Sequence, residues 1–119
     1  MAVIRLRNGV LFTQINRFIL GDLLDLMRDE LLPEDGDGLY KLEQAEAFSA
    51  LQLDHYEPAL AGRLEKVLLR VAHAVVDGRL APPSPFFQDP EKRVMFVSSM
   101  RELLKTMVHP VEGGPPSPE

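Results

Sequence analysis

Two rows of charged side chains are the features of this sequence whose types and spacing could do chemistry. Asp22, Asp25 and Asp29 recur at intervals of three and four residues, which places them on one side of a predicted helix. A second row of basic and imidazole side chains recurs about one helical turn apart. It comprises Arg63, Lys66, Arg70 and His73. This basic row suits a phosphate or an acidic protein surface, and it could equally pair with the acidic row within one molecule or between two copies.

The acidic row belongs to a longer acidic segment. Residues 22–57 hold eleven Asp and Glu side chains against Arg28 and Lys41, in a chain of 119 residues whose formal charge is −5. This asymmetry argues against nucleic-acid binding through the first half of the chain, because phosphate contacts need Lys and Arg. It favours contact with a basic protein, because complementary charge speeds the encounter. The predicted partner-binding surface is formed by Phe18, Asp22, Asp25, Asp29, Glu34, Asp35 and Asp37.

Phe18 is the aromatic member of this predicted surface. It falls on the acidic side of the first predicted helix, where an exposed ring could anchor a partner. The alternative is that the ring packs beneath the N-terminal strands. Because of this surface, we expect the protein to be a small non-catalytic adaptor, regulator or inhibitor. A toxin-neutralising protein is one class that fits this expectation.

Two glutamates that interrupt apolar helix faces define an alternative function. Glu30 and Glu65 point towards leucine-rich sides of the first and central helices. A carboxylate in such a position must reach solvent, pair with an arginine or take up a proton. We expect ion pairs or interface positions for both. The alternative is a ligand-binding or enzymatic pocket between these two helices, in which Glu30 or Glu65 meets Arg63 or His73.

No group of residues completes a catalytic, metal or cofactor site. The chain lacks cysteine, a local nucleophile motif and a glycine-rich phosphate loop. Asp35, Asp37 and Glu46 match positions 1, 3 and 12 of a calcium-binding loop, but Leu39 and Tyr40 replace a ligand and the required glycine. We therefore predict no catalytic residues, no metal and no cofactor.

Four helices are predicted to position these side chains. The first runs from about Thr13 to Leu32, and the second from about Leu39 to Leu53. The helix from Pro58 to Asp77 is apolar around most of its circumference, which predicts a central, buried helix closed by Gly78. A possible capping box at Ser99 predicts a last helix that ends near Val108.

Short strands complete the predicted fold. Residues 2–13 form a β-hairpin around Asn8-Gly9, and Arg93 to Val97 supply a third strand. The fold class is α+β and predominantly α-helical, with one globular domain over residues 1–110 and a disordered tail over 111–119. No apolar run is long enough to span a bilayer and no secretory signal is present, so we expect a cytoplasmic protein without a membrane partner.

Overall fold

The computed structural model describes residues 2–108, which form a small three-stranded sheet and four α-helices. Strands β1 (Val3–Arg5) and β2 (Leu11–Phe12) pair antiparallel, and Gly9 in their turn has a φ of 85°. This confirms the predicted hairpin. Strand β3 (Ala50–Gln52) pairs parallel to β1, so the strand order is β2-β1-β3 and β3 forms one edge of the sheet.

The predicted third strand at 93–97 is wrong, because this segment is helical. It belongs to α4 (Pro90–Val108), in which Phe96, Met100 and Leu103 are buried at intervals of three and four. The actual third strand, β3, lies in a segment that was predicted to be helical. Helix α2 (Gly36–Phe48) ends early because its C-cap, Ser49, takes a left-handed conformation with a φ of 54°.

The first and central helices begin and end close to the predicted positions, whereas the last helix begins nine residues before the predicted start at Ser99. Helix α1 spans Arg17–Glu30 and is capped by Asn16, whose side chain accepts a hydrogen bond from the Ile19 N–H at 2.8 Å, so the helix begins four residues after Thr13. Helix α3 spans Pro58–Val76. Ser99 does not start a helix, because it lies inside α4 and its hydroxyl donates to the Gln14 carbonyl.

Helix α3 lies at the centre of the core, as its apolar circumference predicts. Leu64, Leu68, Val71 and Ala72 are completely buried, and α3 packs mainly against α4 and α1. The two remaining helical segments are 3-10 turns at Leu53–His55 and Pro85–Gln88. The fold class is therefore confirmed as α+β and predominantly helical.

Two predictions concern the ends of the chain and its membrane behaviour. The tail predicted to be disordered, residues 111–119, lies outside the described residues. Over residues 2–108, no helix has both the length and the apolar character needed to cross a membrane.

Buried side chains from all four helices and from the strands join one hydrophobic core.

Candidate functional site

The three carboxylates of the acidic row have different environments. Asp22 is only 7% exposed, and its Oδ2 accepts a hydrogen bond from the Ser84 backbone N–H at 2.9 Å. The prediction of an exposed Asp22 is therefore wrong, because the proline-rich segment at residues 82–88 covers it. Asp29 is exposed and Asp25 is half-buried. The hydrogen bond of Asp22 thus connects α1 to a segment some sixty residues away, while the carboxylates of Asp25 and Asp29 remain accessible.

One arginine lies within a group of four carboxylates on the α1–α2 face. Arg28 contacts Asp25 at 3.2 Å and Glu46 of α2 at 2.9 Å. We call this group the acidic cluster, and its carboxylates are Asp22, Asp25, Asp29 and Glu46. Glu46 was not among the predicted partner-binding residues, because its proximity to α1 depends on how the two helices pack.

The ionised carboxylates of the acidic cluster repel one another. Burial raises the pKa of Asp22, and the charges of Asp25 and Glu46 raise it further, although the hydrogen bond from Ser84 opposes the shift. Burial is the largest reason that the pKa of Asp25 is raised, and the charge of Glu46 raises it further, while Arg28 lowers it. A single guanidinium therefore leaves the cluster with an excess of negative charge.

An exposed aromatic pair borders the acidic cluster. The Phe18 ring is 53% exposed and stacks on Phe86 at a centroid distance of 5.2 Å, so it does not pack beneath the strands. Phe86 contacts Phe87 edge-on at 5.0 Å, and Phe87 is buried in the core. Phe18 and Glu46 line one cavity of about 390 Å³ between α1 and α2. The aromatic pair and the acidic cluster therefore form one continuous surface.

Phe86 was not predicted as a site residue, because only the fold brings it to α1. The signal in the sequence is the Phe86-Phe87 pair between prolines. Two hydrogen bonds hold the segment locally: the Ser84 hydroxyl accepts from the Phe86 N–H at 3.3 Å, and Arg93 Nε donates to the Phe87 carbonyl at 3.2 Å. Together with the bond from Ser84 to Asp22, they set the position of the Phe86 ring against Phe18.

The acidic residues of the α1–α2 turn form a separate group. Asp35 accepts hydrogen bonds from two guanidinium nitrogens of Arg63, at 3.1 and 3.2 Å, and caps α2 by accepting from the Gly38 N–H at 3.0 Å. The Arg63 hydrogen bonds are the main reason that the pKa of Asp35 is lowered. Glu34 and Asp37 are exposed on the same turn. Asp35 is thus engaged within the fold, unlike the two acids beside it.

The basic row of α3 pairs with carboxylates of the same chain. Arg63 binds Asp35, and Arg70 lies 3.5 Å from Glu30. Lys66 and His73 are exposed. The row therefore meets acidic residues, as one of the sequence alternatives stated, but they are not Asp22, Asp25 or Asp29.

Glu30 and Glu65 both form ion pairs, as predicted. Glu65 lies 3.3 Å from Arg7, away from the other glutamate. Glu30, Arg70 and His73 line a cavity of about 470 Å³ between α1 and α3. The predicted alternative pocket thus has a structural counterpart that includes Glu30 and His73, while Glu65 and Arg63 lie outside its lining.

In the part of the chain from 2 to 108, no group of three or more His, Asp and Glu side chains is arranged to hold a metal ion. No protein-family model, curated protein sequence or solved structure matches the chain.

Proposed function

We propose that the protein is a non-catalytic interaction module that binds a basic partner protein through the acidic cluster and the Phe18–Phe86 pair. The observation that carries this proposal is the continuity of the two features: Arg28 pairs with only two of the four clustered carboxylates, Asp25 and Glu46, and an exposed stacked aromatic pair borders them. Such a module acts as an adaptor, regulator or inhibitor by occupying its partner's surface.

The electrostatics of the acidic cluster favour a basic partner. The raised pKa values of Asp22 and Asp25 mean that ionisation of these groups is opposed by burial and by neighbouring carboxylates. A Lys or Arg of a partner placed beside the accessible Asp25 would relieve this repulsion and would also be steered towards the surface from a distance. An acidic partner would add to the repulsion, so the same feature gives selectivity.

The aromatic pair supplies the apolar anchor that charge alone does not give. Interface hot spots are enriched in large side chains that become desolvated on binding. Phe18 and Phe86 are 53% and 42% exposed, so a partner can still remove much of their surface from water. The Arg17 guanidinium lies 5.6 Å from the Phe18 ring centroid, and the Lys92 ammonium lies 5.1 Å from that of Phe86.

Capture from a lysate of the source organism, with matched charge variants, tests this proposal. Asp25→Asn combined with Glu46→Gln removes two charges from the acidic cluster. Glu34→Gln combined with Asp37→Asn removes the same charge from the α1–α2 turn. We expect the wild type and the turn variant to capture the same protein, and the cluster variant to lose it.

Phe18→Ser tests the aromatic anchor in the same experiment. We expect capture to weaken by at least about fivefold, because an anchor residue contributes about 1 kcal/mol or more to binding. Equal capture of one protein by the wild type, the cluster variant and Phe18→Ser would contradict the proposal. The absence of a specific partner for the wild type would also contradict it.

A second candidate function is supported by the cavity between α1 and α3. Its lining combines Glu30, Arg70 and His73 with apolar side chains at Leu69 and Leu80. This composition suits a small amphipathic ligand that carries a carboxylate or an ammonium group. Thermal-shift screening of the wild type against Glu30→Gln tests it: a ligand that stabilises only the wild type would support a binding function at this cavity.

A further inference from the structure

A groove along the first half of α4 combines two arginines with aliphatic side chains. It has a volume of about 500 Å³, which is within the range of small-molecule sites in proteins. Its lining contains no Asp or Glu, and half of its residues are apolar. We call this cavity the α4 groove, and its lining residues are Gln88, Pro90, Arg93, Val94, Val97 and Arg101. None of them belongs to the acidic cluster or to the Phe18–Phe86 pair.

The two arginines of the α4 groove have no carboxylate partner among residues 2–108. The lysines of the same helix are paired, since Lys92 lies 3.7 Å from Asp89 and Lys105 lies 3.2 Å from Glu102. Two cations that border one cavity without a counter-charge repel each other, and an anion placed in the cavity would be attracted to both. The groove therefore favours an anionic ligand.

The guanidinium of Arg93 is held in place by the segment that precedes α4. Its Nε donates to the Phe87 carbonyl at 3.2 Å, and the Phe87 side chain is buried in the core. Within residues 2–108, its two terminal nitrogens make no hydrogen bond, so they remain available to a carboxylate, which guanidinium groups bind with two parallel hydrogen bonds. A side chain that is already ordered loses less conformational entropy on binding.

The aliphatic side chains of the groove lie beside the arginines. Arg93, Val97 and Arg101 recur at intervals of four residues, so they share one side of α4, and the two arginines are about 12 Å apart along the helix axis. Val94 is 66% exposed. An inorganic anion would leave Val94 in water, whereas a ligand with an alkyl chain would bury it.

We propose that the α4 groove binds a small amphipathic anion, whose carboxylate meets the guanidinium groups of Arg93 and Arg101 and whose alkyl chain covers Val94 and Val97. A small molecule fits the groove better than a macromolecule. The phosphate backbone of a nucleic acid needs a row of several cations, and a stable protein interface uses about 20 to 30 residues on each side. The proposal does not depend on the function assigned to the acidic cluster.

Calorimetric titration of the full chain with decanoate, below the concentration at which decanoate forms micelles, tests the proposal. We expect one site with a Kd below about 1 mM. Decyltrimethylammonium, which has the same alkyl chain and the opposite charge, and inorganic phosphate, which has no alkyl chain, should each bind at least about tenfold more weakly. The absence of decanoate binding, or equal binding of either comparison compound, would overturn the proposal. A hexaglutamate peptide that binds more tightly than decanoate would indicate an acidic protein partner and would also overturn it.

A charge variant tests the contribution of the arginines. Arg101→Gln should weaken decanoate binding by at least about tenfold, because a hydrogen bond between charged groups is among the strong ones. Lys66→Gln is the matched control, because it removes the same charge from an exposed position on α3 that does not line the groove. We expect this control to bind decanoate like the wild type, and an equal loss of affinity in both variants would mean that only net charge matters.

An apolar variant tests the contribution of the aliphatic side chains. Val94→Ser should weaken decanoate binding by at least about fivefold, because the alkyl chain loses its apolar contact. Met95→Ser is the matched control, since Met95 is the next residue of α4 and is 55% exposed but does not line the groove. All four substituted positions are exposed, so the variants should fold, and thermal unfolding without ligand checks this. Decanoate affinity that both Arg101→Gln and Val94→Ser leave unchanged would place the ligand at another site and overturn the proposal.

Discussion

The carboxylate of Asp22 connects α1 to the segment that carries Phe86. Its Oδ2 accepts the Ser84 N–H at 2.9 Å, and Ser84 in turn caps the Phe86 N–H. Asp22 is therefore a positioning residue for the Phe18–Phe86 pair rather than a direct contact for a partner. Sequence spacing placed it correctly on the same side of α1 as Asp25 and Asp29. It could not show the burial, because the covering residues are distant in the chain.

Substitutions at Asp22 separate its hydrogen bond from its charge. Asp22→Asn keeps an acceptor oxygen, whereas Asp22→Ala leaves the Ser84 N–H without its partner. We expect Asp22→Ala to be less stable than Asp22→Asn by about 1 kcal/mol, the typical net value of such a bond. Urea unfolding of both variants measures this difference, and equal midpoints with equal slopes would contradict the proposed role of the bond.

The charge of Asp22 should make stability depend on pH. Burial holds the pKa of this carboxyl above its ordinary value. At a pH between the unfolded and folded pKa values, the folded state therefore keeps a proton that the unfolded chain has released. The free energy of unfolding therefore falls as pH rises from the unfolded pKa, about 3.9, through the raised folded pKa. Relative to Asp22→Asn, the wild type should gain stability as pH is lowered towards 4. Parallel profiles for the two proteins from thermal unfolding would exclude this effect.

At the scale of elements, the transition from α2 to β3 is a region whose structure the sequence pattern did not predict. A strand of three residues is too short to display an alternating pattern, and its pairing with β1 joins residues 3–5 to 50–52. The apolar run at 93–97 suits a strand by composition but is helical, because Phe96 shares one buried face with Met100 and Leu103. By contrast, α3 was predictable because its apolar pattern extends over five turns.

Ser49 should limit the stability of this transition. Its φ of 54° lies in the left-handed region, which costs an L-residue roughly 1 kcal/mol but costs glycine little. Ser49→Gly should therefore stabilise the protein by up to about 1 kcal/mol. The matched control is Ser98→Gly, an exposed position inside α4, which should destabilise it by up to about 1 kcal/mol. The same sign of change for both variants in thermal unfolding would contradict this account.

At the scale of the whole molecule, charge is divided among surfaces with different roles. Arg63 of the basic row pairs with Asp35 of the α1–α2 turn, while the acidic cluster retains an excess of carboxylates around Arg28. The fold class and the central helix followed from the sequence. The split of the acidic segment into a turn that pairs with Arg63 and a cluster around Arg28 did not, because it depends on which helix faces meet.

This division predicts how partner binding responds to salt. Binding of a basic partner to the acidic cluster should weaken as salt rises, because screening removes the attraction. A salt titration of partner binding measures this response, and binding that strengthens as salt rises would contradict the acidic cluster as the binding surface.

The most direct measurement is the affinity of the captured partner, once purified, for the wild type and for Asp25→Asn combined with Glu46→Gln, at low and at high salt. We predict that the wild type loses at least about tenfold in affinity at high salt, and that the variant binds more weakly at low salt and responds less to salt. The turn variant, Glu34→Gln combined with Asp37→Asn, should behave like the wild type. Equal affinities of the wild type and the cluster variant at low salt would contradict the acidic cluster as the binding surface.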